Sequence, residues 1–281
     1  MRVSLISLPE GDALEPEHRD IREDIFRNIL HRSVVASIIS EAPGVVSGIE
    51  NCRFLAEKLG LTFQSAVRDG HAIGPGTEVA KVSGNPLQVS KAEEVLLGAL
   101  SKPSGIATAA HAAKARVRSR CRVVCGGAKK MPHEIKAIVR KAVIDGGLEI
   151  RMLDQPFLYL DKNYVRMFGG VEPAMQAVAW LERPTVVQVR GELQPIEQEA
   201  VSAATGGARV IMVDTGNSRD LDLVGQTLRR NNLRSRVQLA FSGNIDLERI
   251  EEICSGDVDV LDIGYAILDA PCLPMRFDVM R

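Results

Sequence analysis

Six short apolar runs from residue 121 onward each hand over to residues with polar or cationic chemistry. After Cys121–Cys125 come Gly126-Gly127-Ala128-Lys129-Lys130, and after Phe157–Leu160 come Asp161-Lys162-Asn163. Thr185–Val189 carries Gln188 and is followed by Arg190, while Val210–Val213 leads into Asp214-Thr215-Gly216-Asn217. Val237–Phe241 ends in Ser242-Gly243-Asn244, and Val258–Ile263 in Gly264-Tyr265. Cations, a few carboxylates and glycine loops together suit a polyanionic ligand such as a phosphorylated sugar, with Mg²⁺ on Asp214. Glycine matters because it lets backbone N–H groups come close to a phosphate. Each position also has a plainer reading. Asp214 suits a helix N-cap after a strand, Lys129-Lys130 a solvated loop, and Gly243 and Gly264 simple turns. Arg151, ahead of the second run, suits the surface equally well.

These positions can meet only if the runs are neighbouring strands of one sheet. Between the runs lie helical segments at 132–144, 171–181, 194–205, 218–230 and 246–254. Strict strand–helix alternation requires a parallel sheet, and six or seven such units close into a βα barrel whose chemistry lies at the carboxyl ends of the strands. The first part of the chain reads differently. A short helix is expected over Asp20–His31 and a strand over Ser33–Ser40, then a helix from Ile49 to Gly60 and strands at Leu61–Ala66 and Thr77–Ser83. Asp69-Gly70 reads as a hairpin turn, and Leu87–Val89 completes a mostly antiparallel sheet. A helix beginning at Lys91 is expected to break at Lys102-Pro103 and to restart at Ser104. Residues 1–20 read as a polar arm. The division falls at 1–105 for a first domain and 106–267 for the barrel, with the tail 268–281 returning to the first sheet.

Composition bounds the partners. The 281 residues are 45% hydrophobic and 25% charged with a net charge of −1, which suits a globular enzyme and gives no support for a nucleic-acid or membrane surface. No apolar run reaches the roughly 18 residues that would span a bilayer, and the start does not read as a signal peptide. The five cysteines are scattered and odd in number, which suits reduced, mostly buried cytoplasmic thiols rather than zinc at Cys121 and Cys125.

Several motifs in order resemble one family. Ala92-Glu93-Glu94-Val95 with Pro103-Ser104-Gly105-Ile106-Ala107-Thr108 is similar to its central helix and "SGIAT" signature. Ile211-Met212-Val213-Asp214 is similar to its "IMLD" strand, and Phe241-Ser242-Gly243-Asn244-Ile245 to its "SGGI" loop. Asp262-Ile263-Gly264-Tyr265-Ala266 is similar to its "SVGALT" strand, and Glu41–Glu50 to its early "AREDGVLAGLE". The chain thus resembles nicotinate-nucleotide pyrophosphorylase, also called quinolinate phosphoribosyltransferase. That resemblance implies an N-terminal open α/β sandwich, an incomplete seven-stranded βα barrel and a homodimer or higher oligomer whose sites form between subunits. It implies transfer of ribose 5-phosphate from phosphoribosyl pyrophosphate to quinolinate, with Mg²⁺ and loss of CO₂. Lys129 then falls on the cation after the first strand, Asp214 on the acid near the ribose hydroxyls or Mg²⁺, and Arg151 on the arginine of an "NHR" motif. Ser242, Gly243 and Gly264 fall on the 5-phosphate loops, with Asn244 in place of a glycine.

The departures cluster at the other end of that site. Glu93-Glu94 stands where the family has "ER", and Gly127-Ala128-Lys129 where it has "TRK". Asp161-Lys162-Asn163-Tyr164 stands for "KDNH", and Gln188-Val189-Arg190 for "EVE". Exchanging Arg for Glu94 changes a pocket by two charges, each worth about 4 kcal/mol gross at ~4 Å and an effective dielectric of ~20. The expected function is a phosphoribosyltransferase that keeps the phosphate end and takes a quinolinate-like or altered aromatic base. Lys129, Lys162 and Asp214 are its candidate catalytic residues. Arg151, Glu94, Asp161, Gln188, Arg190, Ser242, Gly243, Asn244 and Gly264 are its candidate contacts. Two other readings stay open: a barrel enzyme with Lys129 or Lys162 as a Schiff-base lysine, and a non-catalytic homologue that binds a phosphorylated sugar or nucleotide.

Overall fold

The computed structural model describes residues 20–117 and 121–280. Apart from Asp20, which caps the helix Ile21–Phe26 through the Arg22 N–H, the expected N-terminal arm lies outside the described residues. The chain forms two compact units. The first gathers 20–111, 128–147 and 268–280, and the second holds the remaining described residues up to 267.

The first unit is built on a four-stranded antiparallel sheet in the order Met275–Val279, Val34–Ser40, Glu78–Gly84, Thr62–Gln64. The tail does return: Ile38 pairs with Phe277 on one side and Ala80 on the other. Val89, Ala92, Leu96 and Leu100 recur at helical spacing on the long helix Pro86–Ala115, and pack in one core with Ala36, Ile38 and Val82. Three expectations are corrected here. Leu87–Val89 is not a strand but the first turn of that helix. Asn85 accepts from the Gln88 N–H at 2.9 Å and Gln88 reciprocates to the Asn85 N–H at 2.9 Å, with Pro86 opening the helix. Nor does Pro103 break the helix. The Ala99 carbonyl that it cannot serve faces Gly48, where a Cβ would stand 2.3 Å away, and the Ser101 carbonyl accepts from the Leu273 N–H at 2.9 Å. Asp69-Gly70 closes no hairpin. The strands on either side of it, Thr62–Gln64 and Ala72–Ile73, belong to different sheets. Asp69 instead accepts from the Ile49 N–H at 2.8 Å, capping the helix Ile49–Lys58, and from Lys141 at 2.6 Å. Burial opposes the Lys141 charge, but Asp69 and Asp145 outweigh it and raise the ammonium's pKa.

The second unit holds six parallel strands in the order Arg122–Val124, Val260–Asp262, Gln238–Ser242, Val210–Asp214, Thr185–Val189, Leu158–Leu160. The first strand in sequence thus pairs with the last, as closure demands. A single residue, Glu149, bridges in parallel to Val124 and stands in the place of a seventh strand. This is the incomplete β/α barrel of seven-stranded type. Its strands are near-continuous apolar runs because both of their faces are covered, as Thr185–Val189 illustrates with every residue buried. The interior is filled by Val124, Met152, Val186, Val210, Met212, Ala240 and Val260. Cys121, Cys125 and Cys254 are buried, and burial pushes the Cys125 thiol up to about 12.

Candidate functional site

Register sets the site. Asp214 pairs with Ser242 and Ser242 with Asp262, so three polar side chains share one rung at the carboxyl end of three adjacent strands. Val189 pairs with Val213, so the next rung brings Arg190 beside Asp214. Gln188 and Arg190 are two residues apart and therefore share a face of the strand.

The side chains there form a connected ladder. Gln188 Oε1 accepts from the Lys162 backbone N–H at 2.7 Å, and its Nε2 donates to Asp214 Oδ2. Arg190 donates to the same Asp214 oxygen at 2.8 Å and, through Nε, to Glu192 at 3.0 Å. Arg166 closes the row with two bonds to Glu192, at 2.7 and 2.9 Å. The Arg166 guanidinium, helped by Arg190, holds the Glu192 carboxyl below its usual range. A buried carboxylate supports the row from behind. Glu199 accepts from the backbone N–H groups of Arg190 and Gly191 at 2.9 Å each and of Leu193 at 3.4 Å. Lys162, Arg166, Gln188, Arg190 and Glu192 line a shallow, open cleft. Inside the barrel, Tyr159 donates to Met212 Sδ at 3.1 Å. Burial, then the charges of Asp262, Asp214 and Asp161, push its phenol well above the ordinary range.

The neighbouring loops are made of backbone. Gly216 and Gly243 have φ of +71° and +114°, and Asn244 has +47°. A Cβ on Gly216 would meet the Gly243 oxygen at 2.4 Å, and one on Gly243 would meet the Gly216 nitrogen at 2.5 Å. The loops after the fourth and fifth strands therefore lie main chain against main chain, joined by Gly216 N–H to Ser242 O at 3.0 Å. Tyr265, after the sixth strand, donates its hydroxyl to Asp246 after the fifth. Gly264 is different, since a side chain there would meet nothing within 4 Å.

The structure thus brings together Lys162, Gln188, Arg190 and Asp214, with Ser242 on the same rung as Asp214. Asp161 takes a plain role as N-cap of the helix Lys162–Phe168, accepting from Asn163 and Tyr164 N–H. Asp214 does not cap a helix. Asn217 does that for Ser218–Arg230. Arg151 is exposed. Lys129 is exposed on the 3-10 turn Gly127–Lys130, in the stretch 128–147 that groups with the first unit. Glu94 also belongs to the first unit, where its exposed carboxylate meets Arg22 at 3.2 Å. Arg166, Glu192, Glu199, Asp262 and Tyr265 are further polar members of the mouth. Only the Asp262 stretch carried a sequence signal, through its place beside Gly264.

The residues present do not suit a resident Mg²⁺ on Asp214. A magnesium ion requires oxygen ligands in an octahedron. The side chains bonded to Asp214 are an amide NH₂ and a guanidinium. Among the described residues no group of three His, Cys, Asp or Glu side chains is placed to hold a metal.

Two family descriptions match the chain: "Quinolinate phosphoribosyl transferase, C-terminal domain" over residues 106–278 and "Quinolinate phosphoribosyl transferase, N-terminal domain" over 20–104. A probable nicotinate-nucleotide pyrophosphorylase [carboxylating] of Archaeoglobus fulgidus is 29% identical over 252 residues, covering 89% of this chain and 96% of that one. The human nicotinate-nucleotide pyrophosphorylase [carboxylating] is 29% identical over 241 residues, covering 85% and 80%. The solved nicotinate-nucleotide pyrophosphorylase of Ehrlichia chaffeensis superposes with a TM-score of 0.79 at 16% identity, over 94% of this chain and 93% of that one. The last is a likeness of fold.

Proposed function

The chain belongs to the quinolinate phosphoribosyl transferase family, and on that footing we propose that its barrel mouth transfers ribose 5-phosphate from phosphoribosyl pyrophosphate to an aromatic base. The observation that carries this reading is the meeting, at one end of the barrel, of a main-chain loop pair with a cation–carboxylate ladder. Departure of pyrophosphate leaves positive character on the ribose carbon and gathers negative charge on the leaving group, so catalysis calls for a carboxylate on one side and cations on the other. In this reading the Ser242-Gly243-Asn244 loop and Gly264 receive the 5-phosphate. Asp214 Oδ2 is held by Gln188 and Arg190, and Oδ1 takes a ribose hydroxyl beside the developing charge. Lys162 and Arg190, on the shared cleft, face the diphosphate. In this reading Mg²⁺ pairs with the substrate's diphosphate in solution, and the diphosphate does not need it in order to bind. Asp161 serves as the cap that orients Lys162, and Lys129 and Arg151 remain candidate acceptor contacts. A homodimer belongs to the same reading.

The acceptor is an aromatic base of lower negative charge than quinolinate. What supports this is Glu94 standing where the family carries an arginine, its carboxylate offset by one Arg22. The test is pyrophosphate release from phosphoribosyl pyrophosphate with quinolinate and with its monocarboxylate analogues. Faster release with a monocarboxylate is expected. Efficient quinolinate-dependent release contradicts the altered acceptor, and failure to release pyrophosphate with any base contradicts the transferase. Sedimentation of the purified chain checks the dimer.

A further inference from the structure

We propose that Arg190 is a built-in cation that takes the place of a resident divalent metal at Asp214, and that the protein binds the diphosphate end of its substrate without a metal ion of its own. The second half of this inference rests on the transferase reading above, while the first half stands on geometry alone.

The orientation of Gln188 is decided by a group that cannot flip. The Lys162 backbone N–H is a donor only, and it lies 2.7 Å from the Gln188 side chain, so that end is the oxygen. The other end, facing Asp214, is therefore the NH₂. Asp214 Oδ2 thus meets two donors, one of them charged, and a hard cation finds neither a second carboxylate nor an amide oxygen beside it. Arg190 is not a passing surface residue. Its guanidinium bridges Asp214 and Glu192, and its backbone N–H is fixed by buried Glu199. A residue tied at two side-chain points and one backbone point keeps its charge where a metal ion would otherwise sit. A guanidinium also recognises phosphate oxygens directly, and Lys162 lines the same cleft with no hydrogen bond or ion pair from its ammonium among the described residues. The substitution of a fixed cation for a bound one has a signature that binding measurements read directly.

The test uses the full metal-stripped chain and Mn²⁺ alone, followed by electron paramagnetic resonance. The wild type is expected to take up no stoichiometric Mn²⁺, and the double variant Gln188→Glu with Arg190→Glu to gain one site. Mn²⁺ bound to the wild type and released by Asp214→Asn overturns the proposal. A double variant that takes no Mn²⁺ also overturns it, because Arg190 would then not be what excludes the metal. Calorimetry with inorganic pyrophosphate in EDTA supplies the second arm. Binding is expected, weakened by at least about tenfold in Arg190→Gln. Pyrophosphate binding that appears only on adding Mg²⁺ overturns the proposal and leaves the transferase standing. Absence of binding under both conditions overturns the proposal and the transferase reading together.

Discussion

The two sides of the barrel mouth are made of different material. After the fourth and fifth strands the loops are main chain against main chain, with Gly216 and Gly243 in left-handed conformations and no room for a Cβ on either. After the second and third strands the surface is side chain against side chain, a row running Lys162 N–H, Gln188, Asp214, Arg190, Glu192, Arg166. A backbone site tolerates little change of sequence, because its geometry is a property of glycine. A side-chain site exchanges its charges and keeps its strands. On the proposed transferase reading, that contrast accounts for a chain that keeps the phosphate end of its site while rewriting the other end.

Substitutions that attack each side separately sharpen the contrast. The largest effect is expected at Gly243→Ala. Left-handed strain of about 1–3 kcal/mol adds to a main-chain clash, and chemical denaturation should show a loss of roughly 3 kcal/mol or more. Gly264→Ala, in open space, should change stability by no more than about 0.5 kcal/mol while weakening phosphate binding. If the two alanine variants are equally stable, the loop pair is not a rigid element. Next comes Glu199→Ala, which strips three backbone N–H groups of their buried acceptor. A loss of about 3 kcal/mol is expected, with Glu199→Gln recovering part of it. Melting curves of the two variants check this, and an unchanged midpoint in Glu199→Ala removes the support assigned to Arg190.

A smaller effect is expected from pH. The folded-state pKa of Glu192 is depressed, chiefly by Arg166. A depressed carboxylate contributes stability above its unfolded pKa and loses it as pH falls through the lower folded value. The Arg166–Glu192–Arg190 row should therefore stay intact from neutral pH down through the ordinary carboxylate range and dissolve only in stronger acid. The row is half exposed, so its share of stability is small. Carbon-13 shifts of the Glu192 carboxyl report the transition, and a midpoint at or above the ordinary value contradicts the pairing.

The same contrast explains what was legible in the sequence. Parallel strands buried on both faces announce themselves as apolar runs, so the barrel, its strand ends and the glycine loops were all readable. The tail's return to the first sheet followed from its length. Side-chain pairing is a tertiary fact. Nothing in the spacing of Arg166, Glu192 and Glu199 marks them as parts of one site, because the loop and helices that carry them meet only after folding. The misreadings at 86–103 have local causes. Asn85-Pro86-Leu87-Gln88 is a capping box written in plain sequence, and the apolar Leu87–Val89 masked it. At Pro103 close packing on the surrounding chain, Gly48 against the Ala99 carbonyl and the Leu273 N–H on the Ser101 carbonyl, outweighed the intrinsic break. Asp161, which caps the helix Lys162–Phe168, shows that capping and catalysis call for the same residue type at the same strand end.

The most direct measurement is calorimetric titration of phosphoribosyl pyrophosphate into the metal-free chain in EDTA, with wild type and Arg190→Gln side by side. The account predicts binding to the wild type and a loss of at least about tenfold in the variant. Binding that requires added Mg²⁺, or that is indifferent to Arg190, contradicts it.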